Sequence, residues 1–76
     1  MGSAAKTIIE LYVINTAKEL RIKNKLSQAE LAHLLDVSYG FVGAVESTNH
    51  PEKYNLNHIE KLAQIFNRSP KDFLPE

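Results

Sequence analysis

The chain has 76 residues, no cysteine, and nine basic against nine acidic side chains, for a formal net charge of zero. Length limits it to one thin-cored domain. The missing cysteines exclude a disulfide framework and thiolate metal sites, and fit a reducing cytoplasm, the expected location. No apolar run reaches the roughly 20 residues of a membrane helix, and no signal-peptide layout opens the chain. The charge is uneven: residues 1–26 hold Lys6, Lys18, Arg21, Lys23 and Lys25 against Glu10 and Glu19, whereas residues 27–54 hold only Lys53 against Glu30, Asp36, Glu46 and Glu52.

In chain order, Thr7 with Glu10 is a capping-box pattern, opening a helix expected to run to about Asn24 with Val13, Ala17 and Leu20 at helical spacing. Its first turns, Ile8, Ile9, Leu11, Tyr12, Val13 and Ile14, are apolar on every side except Glu10. Residues 1–12 therefore read as an N-terminal extension or a dimerisation segment of a single domain spanning 1–76. A fold-back over Phe73 and Leu74, or a short strand across a dimer, is the other expectation.

Ser27 with Glu30 is a second box, and Leu31, Leu34 and Leu35 are the expected buried face of the helix it opens. Asp36 stops that helix after about two turns, at a position suited to a left-handed residue. Ser38 reads as the N-cap of a third helix, 38–47, with Val42 and Val45 inward. Residues 47–54 form a polar loop containing Pro51. Asn55 caps a fourth helix with a stripe of Leu56, Ile59, Leu62, Ala63 and Phe66, which Asn67 can end. Ser69-Pro70 starts a last turn, with Phe73 and Leu74 as expected core plugs.

The informative stretch is Gln28 to Ser47, two short helices joined by a tight turn. Ala32 is small where the next helix crosses, and Val37 and Val42 fill the angle between the helices. Such a pair is a helix-turn-helix unit. On Arg21, Leu26-Ser27-Gln28, Glu30-Leu31-Ala32, Val37-Ser38, Val42, Val45-Glu46 and Leu62-Ala63, the chain resembles the Cro/XRE-type helix-turn-helix family of phage repressors over roughly residues 13–74. The resemblance implies an all-α, compact five-helix bundle of the lambda repressor-like kind. It implies a bacterial or phage transcriptional regulator that reads the major groove with helix 38–47. Gln28 would approach DNA from the start of the second helix. Ser38, Tyr39, Gly40, Phe41 and Ala44 would face the groove, and Thr48, Asn49 and His50 a phosphate strand. Arg21 and Glu46 correspond to a partly buried structural ion pair.

Lys23 and Lys25, beside the second helix, are placed for phosphate contact. Tyr39, Gly40, Phe41 and Ala44 offer few donors for base edges, although Tyr39 can hydrogen-bond and Phe41 can touch a thymine methyl. Glycines at 40 and 43 each cost roughly 1 kcal/mol in a helix and point to close backbone approach. These residues and the neutral charge support a second reading, a protein-interaction module meeting a partner through Tyr39, Phe41 and Ala44. His33, His50 and His58 lack paired ligand spacing, so no metal is expected. No cysteine nucleophile or Gly-rich phosphate loop is present, so neither enzymatic activity nor a cofactor is expected. The expected partners are double-stranded DNA, a second copy of the chain and, in the second reading, another protein.

Overall fold

A computed structural model describes residues 6–76 as four α-helices followed by one 3₁₀ turn: α1 Ile8–Lys23, α2 Gln28–Leu35, α3 Phe41–Glu46, α4 Leu56–Phe66 and Pro70–Phe73. The expected fifth helix is only this single 3₁₀ turn, because Pro70 is followed by just three residues of helical backbone before Leu74 turns extended. Among the described residues, no helix is long and apolar enough to cross a membrane.

Local chemistry fixes most boundaries. Thr7, Ser27 and Asn55 each accept the backbone N–H three residues on, and Glu10, Glu30 and His58 reach back to the cap N–H. Each such cap is worth about 1 kcal/mol. At the other ends, Asp36 (φ 60°) and Asn67 (φ 55°) terminate α2 and α4 in the left-handed conformation. Lys25 (φ 59°) does the same one residue after the α1 cap, with Leu26 N–H donating to Arg21 O at 3.0 Å. That third left-handed residue has no sequence signature of the Gly or Asn kind.

The core is Val13, Ile14 and Ala17 of α1, Leu31, Ala32 and Leu35 of α2, Val42 and Val45 of α3, Ile59, Leu62 and Ala63 of α4, with Tyr54 and Phe73. Three leucines expected inside lie outside: Leu34 and Leu74 are largely exposed and Leu56 almost fully so. At about 100° per residue, Leu31, Ala32 and Leu35 span one arc of α2 and Leu34 falls beyond its edge. Ala32, 1% exposed, lies in the arc on a helix that packs closely against α3. Conversely, Ile14 is buried, and Tyr54 at the end of the loop is 6% exposed. The first turns of α1 are helical, not extended, and keep Ile8, Leu11 and Tyr12 outward. Tyr12 and Leu74 line one shallow groove between α1 and the C-terminal segment.

The cap of α4 carries a pH dependence. His58 Nδ1 accepts the Asn55 N–H at 3.0 Å, so it needs a neutral ring. Burial, then the nearby Lys61 charge, hold its pKa below the ordinary 6.5. A depressed folded-state pKa gives stability that is complete above 6.5 and lost as pH falls through the lowered value. Glu10 and Glu30 are held below 4.5, chiefly by the cap backbone N–H groups, so their loss belongs to a more acidic window. The urea midpoint is expected to fall as the pH drops below 6.5 in the unsubstituted chain and to stay flat there in His58→Gln, above the carboxylate range. Equal slopes in the two proteins would assign the acid sensitivity elsewhere.

Candidate nucleic-acid interface

The α2–turn–α3 unit is shorter than its sequence implies. Phe41 N–H donates to Ser38 O at 3.0 Å, closing a turn over 38–41, and Ala44 N–H to Gly40 O begins the helix. The N-cap is therefore Gly40, with no side-chain cap bond, and Ser38 and Tyr39 precede α3 instead of opening it. The expected helix 38–47 is corrected to Phe41–Glu46, about 9 Å of helix. Gly40 is thus not a helix-interior glycine, and a Cβ there would meet nothing within 4 Å. At Gly43 a Cβ would lie 3.1 Å from Gln28 Oε1, so this glycine makes room for the α2 side chain.

A polar junction holds α3 by its C-terminal end. Arg21 from α1 donates through Nε to Glu46 Oε2 and through Nη2 to Glu46 Oε1, both at 2.9 Å. Its Nη1 donates to Leu26 O at 2.9 Å, tying in the chain that enters α2. Gln28 Nε2 adds a bond to Glu46 Oε1 at 3.0 Å. The pair is nearly dry, with side-chain exposures of 11% for Arg21 and 4% for Glu46. Three bonds to one carboxylate fix the tilt of α3 against both preceding helices.

Of the residues singled out as DNA-facing, Lys25, Gln28, Ser38, Tyr39, Gly40, Thr48, Asn49 and His50 are exposed, and Tyr39 is 82% exposed. Ala44 is half-buried. Phe41 is also half-buried, because its ring lies 6.2 Å from Tyr54 edge-on and 5.1 Å from His58. That packing joins α3 to the start of α4, a role the sequence leaves open because Tyr54 sits among loop residues. The loop after α3 is locally ordered: Ser47 Oγ accepts Asn49 N–H and bonds His50 Nδ1, each at 3.0 Å.

Electrostatics at this face are modest. Lys53 is paired with Glu10 at 3.0 Å, and Lys6 Nζ donates to the backbone carbonyls of Val45 in α3 and of its C-cap Ser47. Lys23 and Lys25 are exposed, one ending α1 and the other in the junction to α2. Sequence reading missed Lys6 altogether, because its partners are main-chain groups about 40 residues away. Among the described residues, no group of three His, Asp or Glu side chains is placed to hold a metal ion.

Two short helices joined through a left-handed residue, with the second held against a bundle and its leading turn exposed, define a helix-turn-helix domain. The family model for the Cro/C1-type HTH DNA-binding domain matches residues 18–75, and the chain belongs to that family. No curated protein and no solved structure matches it.

Proposed function

We propose that this chain is a sequence-specific transcriptional regulator of bacterial or phage type, acting in the cytoplasm. It reads the major groove with α3 and the turn 38–40. The observation that carries the reading is the pinned α2–turn–α3 unit, whose leading residues Ser38, Tyr39 and Gly40 stand free while its far end is locked by Arg21 and Glu46. Tyr39 supplies the main groove contact, with Ser38, Gly40 and Ala44 allowing close approach. Gln28 and Lys25 meet one phosphate strand, and Thr48, Asn49 and His50 meet the other. Phe41 contributes mainly by packing. The outward face Ile8, Leu11 and Tyr12 serves a two-fold dimer, which sets two α3 helices about 34 Å apart.

Few cations are free at this face, so about two to four phosphates are contacted per monomer. The log–log salt slope of binding is then about −2 to −4 per monomer. Selection from a pool of random duplexes at low salt is the test, with the protein concentration varied. Enrichment of a two-fold repeated sequence, with concentration-dependent occupancy, is the expected outcome. A specific observation favours a second reading, a protein-interaction module: Tyr39 and Leu34 leave an open apolar strip beside Leu26 and Ala29. Absence of any duplex binding at low salt would select it.

A further inference from the structure

We propose that residues 6–10, the entry to α1 and its first turn, clamp the α3–α4 loop, and that Lys6 is a positioning residue of the DNA interface. The four C-terminal carbonyls of a helix lack intrahelical partners, and in a helix of six residues that is most of the element. Lys6 Nζ donates to Val45 O at 2.6 Å and to Ser47 O at 2.9 Å. A cation at this end also opposes the partial negative charge of the helix dipole. Four residues on, Glu10 accepts the Thr7 N–H through Oε1 and pairs through Oε2 with Lys53 at 3.0 Å.

Residues 6–10 therefore hold both ends of the loop that follows α3, Ser47 at its start and Lys53 near its finish. Thr48, Asn49 and His50 are exposed between those two grips. The Arg21–Glu46 pair fixes α3 from within the bundle; the Lys6 clamp fixes the direction in which the chain leaves it. All of the clamp's α1-side residues precede the residues that match the family, 18–75. Lys6 is half-buried and its donors point at carbonyl oxygens, which separates its role from that of a phosphate ligand.

The affinity part of this inference rests on the DNA-binding reading; the clamp itself does not. Lys6→Met keeps the aliphatic stem and deletes the donors, whereas Lys6→Arg keeps charge and donors. In Lys6→Met, amide hydrogen exchange is expected to speed up about tenfold at Ser47 and Asn49, whose N–H groups bond Ala44 O and Ser47 Oγ, and to stay unchanged in α1 and α4. Affinity for a selected duplex should fall about tenfold with an unchanged salt slope, and Lys6→Arg should restore both readings. A slope smaller by about 0.9 would make Lys6 a phosphate contact and overturn the positioning role. Unchanged exchange at Ser47 and Asn49, or a uniform increase over the whole chain, would overturn the clamp. Should the unsubstituted chain bind no duplex, the proposed function falls, and the exchange data alone decide the clamp.

Discussion

Arg21→Ala is expected to remove about 3–5 kcal/mol of unfolding free energy, because it strands a carboxylate in a nearly dry site. Glu46 is 4% exposed and takes two of its three side-chain bonds from Arg21, leaving only Gln28 Nε2 in the variant. The same substitution frees Leu26 O from Arg21 Nη1, loosening the entry to α2. A chain of this length has about 4–11 kcal/mol of stability in total, so the variant loses between about a quarter and all of it. The loss comes from the uncompensated charge more than from the pair's own attraction, which gives the test its sharper arm. Replacing both partners, Arg21→Met with Glu46→Leu, should recover most of the stability, because no charge is left without a partner. Gln28→Ala, an exposed side chain, should change stability by under about 1 kcal/mol while weakening DNA binding. Urea denaturation of the four proteins decides; a midpoint for Arg21→Ala equal to that of the unsubstituted chain would show that the pair does not hold the fold.

Phe73→Ala carries an expected cost of similar size, about 3–5 kcal/mol, for a different reason. Phe73 is the largest fully buried side chain, and it stands on the 3₁₀ turn, which packs on both α4 and α1. The turn is set up locally by Pro70 and by Asp72 Oδ2 accepting the Ser69 N–H at 3.1 Å. Removing the ring leaves a cavity at the junction of three elements, and a chain with so thin a core has little material with which to collapse around it. Leu74, one residue on and 40% exposed, should cost well under half as much on the same substitution. Equal losses at 73 and 74 in chemical denaturation would contradict this placement of the core.

The helix starts at Thr7, Ser27 and Asn55 and the stops at Asp36 and Asn67 were legible in the sequence, because capping and left-handed termination are decided within a few residues. The family pattern was legible too, since its Arg, Glu and small-residue positions serve one packing arrangement. The start of α3 was misread: Ser38 has the chemistry of a cap, yet Ser38 O engages Phe41 N–H and the helix begins only after Gly40. Periodicity assigned Leu34 and Leu56 to buried faces, but it does not say which neighbour crosses a helix or where along it the contact ends. Tyr54 and Phe41 became partners of His58 only through the meeting of loop, α3 and α4. By itself, then, the sequence determined the ends of α2 and α4, the start of α1 and the helix-turn-helix class, because those follow from short-range hydrogen bonding and helical spacing. Only the tertiary structure decided that Lys6 closes α3, that Lys53 pairs with Glu10, and that Phe41 packs against Tyr54 and His58, because each depends on groups brought together from distant parts of the chain.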